Sequence, residues 1–181
     1  MFRPATLKDI PAVADIYEKI LVQEQRHLMQ IGWLPGVYPV KDTAVSALER
    51  QDLFVYEEEG AVLASAIINQ SQVDVYANGD WSYEADDEKI MVLHTLVVAP
   101  EAGKRGIGKR FVEYYEQYAL DHGCQVLRMD TNEKNAVARA FYRKLGYREA
   151  GIVPCVFNGI PDVHLVLLEK RIGAENRPDL E

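Results

Sequence analysis

At 181 residues the chain is long enough for one domain with a substantial core and too short for two ordinary ones. With 48% hydrophobic and 27% charged residues it falls outside the intrinsically disordered class. A formal net charge of -8 argues against general nucleic-acid binding, which draws on basic patches that neutralise phosphates, and is compatible with a small cationic or amine substrate.

The chain opens with "FRPAT", which reads as a short strand; it lacks the apolar stretch of a secretory leader, and no later run approaches the roughly 18 apolar residues of a membrane span. A cytoplasmic protein with no membrane partner is expected. In "LKDIPAVADIYEKILVQEQRH" the apolar positions Val13, Ile16, Tyr17, Ile20 and Leu21 share one helical face, Pro11 sits in the first turn, and Asp9 is the expected N-cap. "QIGWLPGVYPV" is a loop, "KDTAVSALERQ" a second short helix, and "LFVYEEEGAVLASAIIN" a hairpin turning at residues 57–60. "QSQVDVYANGDWSYEADDEK" is polar, acidic and weakly periodic, and reads as an insertion. "IMVLHTLVVAP" has the continuous apolar character of a central strand buried on both faces. After a glycine-rich segment come the helix "KRFVEYYEQYALDHG", closed by Gly123, the strand "CQVLRMDTN", the helix "NAVARAFYRKLGY", stopped at Gly146, and a closing strand pair, "REAGIV" and "DVHLVLLEKRI". Residues 1–172 are expected to form one domain and residues 173–181 a flexible tail. The cysteines, Cys124 and Cys155, lack metal-ligand spacing, and the four histidines are scattered, so no metal is expected.

The segment "EAGKRGIGKR", residues 101–110, joins the central strand to a helix and concentrates three glycines with four cations. Free N–H groups and the positive end of a helix dipole converge at such a turn, which makes it an anion site; the plainer reading is a strand-to-helix turn with a solvated basic patch. A Walker A loop fits as GKRGIGK, but Arg110 stands where the magnesium-binding hydroxyl belongs. A dinucleotide GxGxxG fails at Phe111. The remaining pattern is Gln/Arg-x-x-Gly-x-Gly/Ala after a strand ending in Val-x-Pro.

On that pattern the chain resembles the GCN5-related N-acetyltransferases. "LHTLVVAPEAGKRGIGKRFVEYYEQYA" is similar to the family's fourth strand, pyrophosphate loop and third helix, and "NAVARAFYRKLGY" to its Asn-x-x-Ala-x-x-Phe-Tyr-x-x-x-Gly-Tyr/Phe signature. "FRPATLKDIPAVADIYE" resembles its usual opening, while residues 22–50 and 69–89 match least. Gly103 stands where the family carries Gln or Arg. The resemblance implies an α/β (α+β) fold: a mixed, mostly antiparallel central sheet of about seven strands, flanked by about four helices, with a splayed parallel pair at its centre.

It also implies a reaction: transfer of an acetyl group from acetyl-CoA to a primary amine of a small molecule or peptide, by direct attack in a ternary complex. The backbone of Leu96, Val97 and Val98 would pair with the pantetheine arm as an added strand. The segment Lys104, Arg105, Gly106, Ile107, Gly108 and Lys109 would cradle the pyrophosphate, with Asn135 and Ala138 alongside; Asn135 is equally an N-cap. Tyr142 would protonate the leaving thiolate, and its other reading is a core aromatic beside Phe141. No carboxylate stands near Val92, where many relatives carry one, so His94 is the candidate base, with Glu84 and Glu88 behind it; a histidine in an apolar run is also a common core residue. Trp33 and Tyr38 in the first loop, with Trp81, Tyr83 and Glu84 in the acidic insertion beside Asp86 and Asp87, are candidate contacts for an amine. The bland alternative is a solvated acidic loop with its aromatics packed down. A non-catalytic acyl-CoA-binding module and a phosphate-loop nucleotide binder are the competing functions. The family often dimerises through its late strands, and "DVHLVLLEKRI" offers such an edge.

Overall fold

A computed structural model describes residues 1–173; the tail expected over 173–181 lies, apart from Gly173, outside the described residues. Strands β1 (Phe2–Pro4), β2 (Leu53–Glu58), β3 (Ala61–Asn69), β4 (Ile90–Val98), β5 (Val126–Asn132), β6 (Arg148–Phe157) and β7 (Ile160–Arg171) form one sheet in the order β1-β2-β3-β4-β5-β7-β6. Every neighbouring pair is antiparallel except β4 with β5, the pair that the glycine segment and a helix connect. The helices are α1 (Ile10–Gln25), α2 (Lys41–Glu49), α3 (Ile107–Asp121) and α4 (Ala136–Lys144).

Two apolar cores share this sheet. The larger takes the buried stripe of α1, Ala44 and Ala47 of α2, Phe111, Val112 and Tyr115 of α3, and Met91 and Leu93 of β4. Leu53 to Tyr56 of β2 and Ala64 to Ile68 of β3 are buried without a break because both faces of the sheet are covered there. The smaller core takes the alternate residues of β4, Ile90 and Val92, with Val126, Leu165 and Leu167. Its cover is the insertion at residues 70–89, which does there what a helix does elsewhere. Tyr76 is 2% exposed, Trp81 Nε1 donates to Tyr76 O at 2.7 Å, and the Arg128 guanidinium lies over the Trp81 ring at 4.0 Å. The wholly buried Glu169 accepts from Ser82 N–H at 2.8 Å and from Arg148 Nε at 2.8 Å. This insertion, expected as a weakly structured loop, therefore contains two short 3-10 turns, Asp74–Asn78 and Asp87–Lys89, and is tied to the sheet.

Two boundaries differ from the sequence reading, and one cap works differently. Asp9 stands at the N-cap position of α1 as expected, but its side chain makes no cap bond there; it closes a 3-10 turn at Leu7–Asp9, and its carboxylate accepts from Thr6 N–H at 2.7 Å and from Arg3 at 2.8 Å. α3 starts at Ile107, two residues before Lys109, because Gly106 takes a left-handed φ of 73° that turns the chain into the helix. β6 runs on through Pro154 to Phe157, which an edge strand permits because nothing is needed from the missing N–H on its open side.

Candidate active site

β4 and β5 pair only from Ile90–Val126 to Leu93–Met129. Past that point they diverge, so the C-terminal end of β4 is bonded on its β3 side, through Val97–Ser65 and Val98–Ala64, and open toward β5. The β3–β4 register slips between these pairs and Ile67–His94; Thr95, in the slip, has a φ of 50° and makes a side-chain hydrogen bond with the Tyr38 hydroxyl. The gap opens into a cleft of about 1210 Å³. Carboxyl ends of parallel strands are where open sheets present ligand sites.

At one end the cleft leads to the glycine segment. A Cβ placed on Gly108 would lie 3.8 Å from Val98 Cγ2 and 3.6 Å from Phe141 Cζ, so α3 begins beside the last residue of β4. The first bond into α3 runs from Arg110 N–H to Gly106 O at 3.1 Å. The N–H groups of Lys104, Arg105, Gly106, Ile107, Gly108 and Lys109 have no partner among the described residues. Left-handed φ values at Lys104 (63°) and Gly106 (73°) curl this run into a concavity of donors suited to a phosphate. Three of the four cations around it are occupied: Arg105 pairs with Glu58, Lys109 with Glu113, and Arg110 donates to the Tyr56 hydroxyl at 3.0 Å, while Lys104 is exposed. Gly103 ends a 3-10 turn with an ordinary φ of -60°, and a Cβ there would meet Pro100 O at 3.1 Å.

The cleft brings together Leu96, Val97, Val98 and His94 of β4, Asn135, Ala138 and Tyr142 of α4 and its cap, and Trp33 and Tyr38 of the loop between α1 and α2. Asn135 Oδ1 accepts from Ala138 N–H at 3.0 Å, so its capping role is realised at the wall of the cleft. Tyr142 is 8% exposed. Burial foremost, and then the charge of Asp130, raises its pKa and fixes the phenol as a donor at neutral pH. His94 is held through Nε2 by Asn69 Oδ1 at 3.0 Å; Asn69 is oriented by its own Nδ2, which donates to Asp52 Oδ2 at 3.0 Å. Burial lowers the pKa of His94 to about 4, so it is neutral at physiological pH.

Trp81, Tyr83 and Glu84 do not reach this cleft. Trp81 is spent on Arg128, Tyr83 gives its backbone N–H to Glu169, and Glu84 lies with Asp86 around a separate shallow depression over Arg128. Glu88 is exposed and outside the cleft lining. The sequence reading missed Asp130, which lines the cleft on β5 and accepts from the Tyr76 hydroxyl at 2.7 Å. Burial pushes its pKa up to about 6. Its charge also raises the phenols of Tyr142 and Tyr38, so it sits within electrostatic reach of both walls. The signal was present: a carboxylate inside the expected strand "CQVLRMDTN", toward the carboxyl end of a parallel strand.

The profile of the acetyltransferase (GNAT) family matches residues 18–147. The chain belongs to that family. An aminoglycoside N(6')-acetyltransferase type 1 of Salmonella typhimurium is 24% identical over 74 residues, which are 41% of this chain and 48% of that protein. The aligned stretches cover less than half the length of the curated relatives. Among solved structures, a GNAT-family acetyltransferase of Streptococcus agalactiae superposes with a TM-score of 0.81 at 19% identity, over 96% of this chain and 95% of that one. A second neighbour, yncA of Salmonella typhimurium, described as a putative acetyltransferase with its cofactor acetyl-CoA, gives 0.66 at 17% identity over 99% and 97%. At such identities the likeness is one of fold. In this GNAT chain no helix among the described residues is long and apolar enough to cross a membrane, and no group of three His, Cys, Asp or Glu side chains among them is arranged to hold a metal.

Proposed function

We propose that residues 1–172 act as a single acetyltransferase domain that moves the acetyl group of acetyl-CoA to a primary amine by direct attack in a ternary complex. The observation that carries this reading is the continuity of the open β4 edge at Leu96–Val98 with the six free N–H groups of Lys104–Lys109. A chain of peptide-like amides ending in a pyrophosphate matches those two surfaces in order: strand-like pairing along β4, then donors for phosphate oxygens. When bound, acetyl-CoA supplies an activated thioester. Gly108, at ordinary van der Waals distance from Val98 and Phe141, leaves the backbone accessible where a longer side chain would cover it.

The protein's own residues then handle protons. An amine arrives as its ammonium; Asp130, a stronger base than an ordinary carboxylate yet ionised at pH 7 to 8, takes one proton from it. Tyr142 gives its phenolic proton to the departing sulfur and is restored by the second proton that leaves the nitrogen. His94, neutral and held by Asn69, is the weaker candidate for base because it titrates near 4. Arg110, standing where a magnesium-binding hydroxyl belongs, weighs against a magnesium nucleotide in the loop.

Two measurements test the proposal together. Calorimetric titration should show acetyl-CoA binding and no comparable heat for ATP with magnesium. Release of CoA thiol should then depend on added amine. Binding without amine-dependent release across primary amines would leave an acyl-CoA-binding module, and preference for ATP a phosphate-loop protein.

A further inference from the structure

The end of the cleft away from the glycine segment is roofed. The loop between α1 and α2 is pinned at its base by Glu24, which accepts from Ile31 and Gly32 N–H at 2.8 Å each. It crosses to β5, where Gly32 packs so closely on Asn132 that an added Cβ would lie 2.3 Å from the amide nitrogen. It meets β4 through the Tyr38–Thr95 hydrogen bond, and reaches the β6–β7 turn, where Val37 Cγ1 lies 3.5 Å from a Cβ position on Gly159. Over the cleft the rings of Trp33, Tyr38 and Phe157 stand edge to face, with centroids 5.8 Å and 5.3 Å apart. The strap thus joins both sides of the gap in front of Asp130.

Charge at this end is sparse. The formally charged side chains lining the cleft are Arg50, Asp74 and Asp130. Arg50 and Asp74 are exposed at the rim, and Arg50 is occupied by Asp52 at 2.8 Å. The acidic residues Glu84 and Asp86 face a different depression.

We propose that the acceptor is a small amine with one positive charge and an apolar body: its ammonium lies on Asp130, and its body against Trp33, Val37, Tyr38 and Phe157. This rests on the acetyltransferase reading and narrows it. Of the two lining carboxylates Asp130 takes the first charge and Asp74 is exposed to solvent, so a polycation held against Trp33, Val37, Tyr38 and Phe157 would place its further charges on walls without a countercharge, which is costly. A peptide N-terminus needs an open groove for the chain that follows it, and the strap closes that path.

The test uses the whole protein with acetyl-CoA and three probes: 2-phenylethylamine, spermidine and a tripeptide with a free N-terminus. The expected kcat/KM for 2-phenylethylamine exceeds the other two by at least about tenfold. In Phe157→Glu, which adds a second carboxylate to the apolar wall, that value should fall about tenfold and the value for spermidine should rise, while the calorimetric Kd for acetyl-CoA is unchanged and reports an intact fold. Spermidine or the tripeptide as the better substrate, an unaltered ranking in Phe157→Glu, or no turnover of any probe overturns the inference. Failure of the wild-type protein to bind acetyl-CoA would instead overturn the acetyltransferase reading beneath it.

Discussion

Replacing Asp130 by Asn separates what the carboxylate does for catalysis from what it costs the fold. In the folded protein its pKa is raised from 3.8 to about 6 by burial. A raised carboxylate pKa means that the native state holds this proton more firmly than the unfolded chain does. Its stabilising contribution is therefore complete below about 3.8 and is lost as pH rises through 6. At pH 7.5 the ionised group costs the native state about 3 kcal/mol, from a difference of about two pKa units at 1.36 kcal/mol each. Asn keeps an oxygen to accept the Tyr76 hydroxyl, now at 2.7 Å, and carries no charge. Asp130→Asn should accordingly be more stable than the parent at pH 7.5, by about 2 to 3 kcal/mol or roughly 5 to 10 °C in Tm for a chain of this size. Its advantage should vanish near pH 4, where the parent's own carboxyl is protonated. Urea melts at the two pH values check this. The same variant should lose about a hundredfold or more in kcat, together with the limb of the pH–rate profile near 6. Equal or lower stability at pH 7.5, or a gap that does not close at pH 4, would refute the assignment of a strained carboxylate; a retained limb near 6 would remove it as base.

Tyr142→Phe should lower kcat by about ten- to a thousandfold, with the calorimetric affinity for acetyl-CoA unchanged, since the hydroxyl has no hydrogen-bond partner among the described residues and its loss leaves no group stranded. His94→Gln should keep the pH–rate limb near neutrality, because His94 titrates near 4; loss of that limb would move the base from Asp130 to His94. Asp9→Asn tests the opposite linkage. Asp9 is held down to about 2 by its Arg3 bonds, so its stabilisation is present above 3.8 and lost as pH falls through 2; the variant should be about 2 kcal/mol less stable at pH 7 and within about 0.5 kcal/mol of the parent at pH 2. Urea midpoints at the two pH values decide it.

The order of strands and helices was legible because the periodicities of 2 and 3.6 stand clear along most of the chain. The parallel crossover was legible because strand, glycine turn, helix and strand admit one handed solution. What stayed hidden depended on long-range partners. Trp81 and Tyr83 look like ligand aromatics beside carboxylates, but that reading cannot see Arg128, 47 positions beyond Trp81, over which the indole closes. Asp130 is hidden in the sequence because the family resemblance points to a carboxylate near Val92 on β4, while the carboxylate near the splay lies on β5. Phe157 was invisible because Pro154 ended the expected strand before it.

An acidic protein that concentrates four cations in ten residues invites the view that those side chains grip a phosphate. In the proposed site the backbone can take that role. Arg105, Lys109 and Arg110 are already engaged with Glu58, Glu113 and Tyr56, in solvent-facing contacts that water and salt weaken. Their neighbours on the acidic side keep the loop from being a bare basic patch, and the six N–H donors need no side chain at all. Gly103 then stops being an anomaly. Its φ of -60° suits any residue, although a Cβ would press on Pro100 O at 3.1 Å, and the donors that define the concavity begin one position later, at Lys104, where the chain turns left-handed. A side chain at position 103 would add a contact beside a concavity whose geometry is set by Lys104 and Gly106, so its absence leaves the donors of the proposed anion site in place.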